Sequence, residues 1–139
     1  MKILSTRIRW AALAVALFGI ELLIATVFAK VPFVRTDLGD YLVVILLYAI
    51  AKSIRDWPAR PLAATILLFS FAVETAQGFH IADRLGFARG SIMSIIIGTT
   101  FQTSDLLMYL LGCLTAWRLD VGVMGKAHSP SSRTRSHDS

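Results

Sequence analysis

The chain has 139 residues, 55% hydrophobic and 17% charged, with 14 Lys or Arg against 9 Asp or Glu and a mean hydropathy of +0.65. An ordinary soluble domain is about 25% charged and 45–50% apolar, so the composition excludes one, and a single cysteine, Cys113, excludes an internal disulfide or a cysteine-based zinc site. The net charge of +5 comes from basic residues that flank apolar runs instead of forming a stripe with interleaved aromatics, which argues against nucleic acid and for the lipid bilayer as partner.

The first apolar run, residues 10–29, follows Lys2, Arg7 and Arg9. Its 20 residues at about 1.5 Å each cross a hydrocarbon core of about 30 Å. Residues 27–29 resemble a signal-peptidase site, but the run exceeds the usual apolar stretch of about 7–15 residues and carries Glu21, so it is read as a span. A second run, 38–54, has Lys52 near its end, where a long stem reaches the headgroups by snorkelling. Residues 55–61 hold Pro58 and Pro61, which forbid one continuous helix and set up a tight hairpin. The third run, 62–79, contains Glu74 and Gln77, and the fourth covers about 104–119. Between them residues 92–97, bracketed by Gly90 and Gly98, are too short to cross and too apolar for a free loop, hence a re-entrant or interfacial helix. The expectation is an all-α, polytopic membrane bundle of four transmembrane helices over residues 1–121, followed by a disordered cytoplasmic tail over 122–139.

Cytoplasmic loops of membrane proteins carry the excess of Lys and Arg. With both termini inside, Lys2, Arg7, Arg9, Lys52, Arg55, Arg60, Arg118, Lys126, Arg133 and Arg135 are cytoplasmic, against Lys30, Arg35, Arg84 and Arg89 outside. The expected location is therefore a bacterial inner membrane, N-in and C-in. The same division places Glu21, Asp37, Asp40, Glu74, Asp83 and Asp105 in the outer half or the outer loops.

An acid at the centre of a span costs about 2.5–3.5 kcal/mol on insertion scales, so Glu21 and Glu74 are expected to face the bundle interior. Ser70, Glu74 and Gln77 share one helical face, as do Asp105, Tyr109 and Gly112, while Asp37 and Asp40 stand one turn apart. Asp37 and Asp105 precede apolar runs and read as N-caps. Glu74 and Gln77 lie at a helix C-terminal end, where the dipole disfavours an acid, so capping does not explain them. Arg89 is the candidate counter-charge, through a purely structural ion pair or within a site. His80 reads as interfacial, Asp83 and Arg84 as a solvated pair, and Trp10, Trp57 and Trp117 as a cytoplasmic aromatic belt.

In chain order, Arg35-Thr-Asp37-Leu-Gly39-Asp40 leading into Tyr41 and Tyr48, Phe71-Ala-Val-Glu74-Thr-Ala-Gln77, Arg89, and Gly98-Thr-Thr-Phe101-Gln-Thr-Ser-Asp105-Leu-Leu-Met-Tyr109-Leu-Leu-Gly112 resemble a bacterial integral-membrane family known as domain of unknown function 2809. The resemblance covers roughly Leu4 to Trp117. More distantly, Glu-x-x-Gln followed by an Arg and an Asp-Leu-Leu helix is similar to the VanZ-like family, although the Asn that follows the Asp helix there is Tyr109 here. The resemblance implies a membrane architecture and a set of polar positions, and no defined activity.

The resulting site expectation is an outward-facing pocket of Asp37, Asp40, Glu74, Gln77, Arg89, Asp105 and Tyr109, binding or acting on an envelope lipid or glycan headgroup, without assigned catalytic residues or cofactor and with a divalent cation as one conceivable companion of its oxygen ligands. Two alternatives stand beside it. One is a small proton-coupled transporter in which Glu21 joins Glu74 in a proton relay, and the other a non-enzymatic membrane scaffold. No Ser sits in a strand-turn-helix elbow and no phosphate-cradling loop is present, which disfavours nucleophilic hydrolases and P-loop enzymes.

Overall fold

Helix α1 covers Lys2–Thr26, and its sequence places Trp10, Ala14, Leu17, Glu21 and Ile24 at alternating spacings of four and three, a single seam on one side. The computed structural model, which describes residues 2–79, 84–86 and 103–124, turns that seam inward. Trp10, Ala14, Leu17 and Ile24 are buried, while Val15 on the far side is 73% exposed and Phe18 61%. An apolar face of that size against water would be an aggregation hazard.

After a turn over residues 27–30 the chain becomes helical again at Pro32, whose fixed φ and missing N–H suit a first helical position. The helical run then continues to residue 54, passing through a π-helical stretch, Val34–Leu38, into α2, Gly39–Ile54. The second helix thus starts six residues before the sequence-based start at 38, because the irregular π stretch breaks the 3.6-residue pattern that marks a helix. Arg55 and Pro58 adopt extended conformations and separate α2 from α3, Ala59–Gly78. Helix α4 covers Thr103–Leu119, and helical geometry carries on through a π turn, Asp120–Met124, past Gly122, where the composition becomes tail-like. The segment at 92–97, expected to be a re-entrant or interfacial helix, and residues 125–139 lie outside the described residues.

All regular elements among the described residues are helical. Two helices among the described residues are long and apolar enough to cross a membrane, over Leu4–Thr26 and Ala59–Gln77. Helix α1 packs on α2, α2 on α4 and α4 on α3, with a slighter contact between α2 and α3. The core is the seam between these helices, with Trp10, Val44, Tyr48, Ala49 and Ala116 fully enclosed. Helices α2 and α4 approach so closely at Gly112 that a Cβ there would stand 2.6 Å from the Tyr41 carbonyl oxygen. Gly112 and Ala116, one turn apart, provide the small-residue face that lets the backbones meet. Tyr41 bridges the same seam, its hydroxyl 2.9 Å from Thr115 Oγ1. Because Thr115 already donates to the Leu111 carbonyl, the Tyr41 hydroxyl is the donor.

The chain direction defines two ends. At one, α1 begins, α2 ends, α3 begins and α4 ends. Here Arg7 of α1 donates through Nε to the Ser53 carbonyl at 2.9 Å and through Nη2 to the Ile54 carbonyl at 2.6 Å, satisfying the last carbonyls of α2 from another helix. Two expectations are corrected at this end. Lys52 is buried and does not snorkel: its Nζ meets Asp56 Oδ1 at 2.7 Å, Asp120 Oδ2 at 3.1 Å and the Trp57 carbonyl at 2.9 Å. Trp10 is not a belt residue but a core one, 5.5 Å centroid to centroid from Tyr48, whereas Trp57 is exposed beneath the Arg55 guanidinium.

Candidate functional site

At the opposite end the helices bring acids together. Asp40 is in the first turn of α2, Glu74 is one turn from the end of α3, and Asp105 and Tyr109 lie one turn apart on α4. Asp40 is half-buried, and Glu74, Asp105 and Tyr109 occupy the inward lines of their helices. Leu62, Ile66, Ser70 and Glu74 recur every four residues down α3, and Asp105, Tyr109, Gly112 and Ala116 at four, three and four down α4, all buried. The hydrophobic pattern that builds the bundle therefore carries the polar residues into it.

Glu74 is 0% exposed, and the Tyr109 hydroxyl donates to its Oε2 at 3.3 Å. The Asp40 and Asp105 side chains are within hydrogen-bonding reach of each other, and Asp40 also feels the charges of Glu74 and Asp37. Carboxylates only accept hydrogen bonds, so a pair of carboxyl groups in such contact can hold one proton between them. Ser104 adds a hydroxyl donor 3.3 Å from Asp105 Oδ1, whereas the Thr36 hydroxyl, 3.3 Å from Asp37 Oδ2, donates more closely to the Pro32 carbonyl at 2.8 Å. Among the described residues no three His, Cys, Asp or Glu are arranged to hold a metal ion.

The capping expectation for Asp37 and Asp105 is replaced. Asp37 is inside the π stretch, whose N-cap is Phe33 with no side-chain cap bond. Asp105 is the third residue of α4 and buried. A π stretch widens the helix by one residue per turn and is frequent at functional sites, and here it precedes the turn that presents Asp40. Gln77 is half-buried one turn beyond Glu74. Arg84 is exposed, and Arg89, His80 and Asp83 lie outside the described residues.

Glu21 is set apart from the cluster. Its Oε2 is 3.8 Å from where a Cβ on Gly39 would sit, so it faces the start of α2 from α1. Its Oε1 is buried with no hydrogen-bond partner among the described residues.

A second polar group, which the sequence reading missed, occupies the lysine end. The Tyr48 hydroxyl donates to Asp120 Oδ2 at 2.6 Å, and Asp120 in turn holds Lys52. The signal was the four-residue spacing of Tyr48, Lys52 and Asp56 on one helical face; nothing in the local sequence announces that Asp120 folds back to them.

A family model described as protein of unknown function (DUF2809) matches residues 29–113. The match contains Asp37, Asp40, Glu74, Gln77, Arg89, Asp105 and Tyr109 and leaves out Glu21 with the whole of α1. No curated protein and no solved structure matches the chain.

Proposed function

The chain belongs to that family, and we propose that it is an inner-membrane protein of four spans whose outward end binds the hydroxyl-rich headgroup of an envelope lipid or glycan. Both termini are cytoplasmic in this proposal, which sets Arg7, Arg9, Lys52, Arg55, Arg60 and Arg118 on the inner side as the positive-inside rule requires. Helices α1 and α3 have the length and apolarity to cross. The helical run over residues 32–54 is about 34 Å long, enough for a bilayer core of about 30 Å. The 17 residues of α4 are extended by the turn that follows.

The observation that carries the proposal is the meeting of Asp40, Glu74, Asp105 and Tyr109 from three helices at one end of the bundle seam, away from the Lys52 group. Bringing several carboxyl groups into such a seam opposes insertion and packing, so a merely structural role would be better served by apolar residues. Carboxyl acceptors beside a phenol suit the alternating donors and acceptors of sugar hydroxyls. Identification of the lipids and glycolipids that co-purify from membranes tests this. Wild type should be enriched in one headgroup class over the bulk membrane, and Glu74→Gln and Tyr109→Phe should lose that enrichment at unchanged membrane level. Identical profiles, or loss of folding in both variants, would assign the cluster to structure alone.

Glu21 supports a second reading. A buried, unpartnered carboxyl oxygen on α1 across Gly39 from the cluster's helix is the placement that a proton relay between Glu21 and Glu74 would use. Proton movement in reconstituted vesicles that depends on an added solute and stops in Glu21→Gln is its signature; absence of such movement retires it.

A further inference from the structure

Helices α3 and α4 do not close on each other along their whole length. Toward the lysine end, Ala63 and Ala64 of α3 face Leu110, Leu114 and Trp117 of α4 across a groove of about 160 Å³. A second, open hollow of about 380 Å³ lies against α4 alone, along Leu114, Thr115, Arg118 and Leu119, and shares Leu114 with the groove. Two alanines opposite bulky side chains leave the space unfilled.

Arginines flank the same end of this groove. Arg60 precedes Ala63 and Ala64 by three and four residues, and Arg118 follows Leu114 by four, so each shares the helical face of its groove residue. Both are exposed. Because α3 starts where α4 finishes, Arg60 and Arg118 stand at the same end of the helix pair. The acids nearest in sequence, Asp56 and Asp120, are held by Lys52, and among the described residues neither arginine has a carboxylate within ion-pair distance. The amino end of α3 also directs free amides and its positive dipole end toward this end.

We propose that this groove seats one acyl chain of an anionic glycerophospholipid of the inner leaflet, with its phosphate between Arg60 and Arg118. Apolar walls fit the chain, and unpaired guanidinium groups fit a phosphate. The half-buried Trp117 lies where an indole meets the glycerol level. The site is at the other end of the bundle from the carboxyl cluster, and it rests on the reading of the chain as a membrane protein.

The test is native mass spectrometry of the full chain in micelles titrated with phosphatidylglycerol or phosphatidylcholine. Wild type should retain one phosphatidylglycerol in preference to phosphatidylcholine. The double variant Arg60→Gln/Arg118→Gln should lose roughly thirtyfold in affinity for phosphatidylglycerol alone. Ala64→Trp, which fills the groove, should weaken both lipids, and Arg9→Gln, on the far side of the bundle, neither. A double variant that changes by less than about threefold, or an equal loss in Arg9→Gln, overturns the site in favour of diffuse surface charge. A chain released from membranes by alkaline carbonate would instead overturn the membrane reading beneath it, whereas a carbonate-resistant chain without lipid preference overturns this inference only.

Discussion

Substituting alanine for Gly112 tests the closest backbone approach in the bundle. In an exposed helix the change from glycine to alanine stabilises by about 1 kcal/mol. At Gly112 the new methyl carbon would lie 2.6 Å from the Tyr41 carbonyl oxygen and 3.2 Å from Val44 Cβ. Neither neighbour is the end of a flexible side chain, so α4 has to move off α2. Overpacking of this kind costs about 1–3 kcal/mol, and backbone against backbone belongs at the upper end. Set against the propensity gain, Gly112→Ala should destabilise by about 2 kcal/mol. Gly19 of α1 is the internal control, since a Cβ there meets nothing within 4 Å; Gly19→Ala should be neutral or stabilising by up to about 1 kcal/mol. Unfolding in mixed micelles by titration with sodium dodecyl sulfate, followed by helical circular dichroism, reads both. If Gly112→Ala proved as stable as wild type, α2 and α4 would not be in contact through Gly112, and the seam that unites Asp40 with Asp105 would be wrongly placed.

Other expectations follow from the two polar groups. Lys52→Met leaves Asp120 buried without its cation and should destabilise by about 3–5 kcal/mol, and adding Asp120→Asn, which can still accept from Tyr48, should restore most of the loss in the same unfolding assay. In a double-mutant cycle, Tyr41→Phe and Thr115→Val should show a coupling of about 0.6 kcal/mol, as is usual for one interhelical hydrogen bond in a membrane; strictly additive effects would remove that bond from the account. Tyr48→Phe should cost about 1.5–3 kcal/mol because its hydroxyl donates to a charged partner, and loss no greater than that of Tyr41→Phe would show Asp120 to be turned away.

The helical character of the chain was legible because apolar runs of spanning length admit little else, and so was the inward face of α3 and α4, where Glu74, Asp105 and Tyr109 fall on the same period as Ile66 and Ala116. What escaped was set by departures from that period or by distant partners. The π stretch at Val34–Leu38 disguised Asp37 as a cap and hid the true helix start, although Pro32 marks it. Lys52 illustrates the second kind: a lysine near a helix end has the same sequence signature whether it reaches headgroups or a buried Asp120, and only the return of the chain after α4 decides. Trp10 likewise sits beside Arg7 and Arg9, as a belt tryptophan would, yet its seam of Ala14, Leu17 and Ile24 takes it into the core.

The proposed location of Asp40 and Asp105 near the outer face, and their meeting there, can be probed by introducing Asp40→Cys and Asp105→Cys together in a Cys113→Ala chain, bridging the pair by oxidation or a short bis-thiosulfonate, and adding a membrane-impermeant reductant outside intact spheroplasts. A cross-link that forms readily and is cut by the external reductant is the predicted result. No cross-link, or one that only a reductant inside the cell can reach, would contradict it.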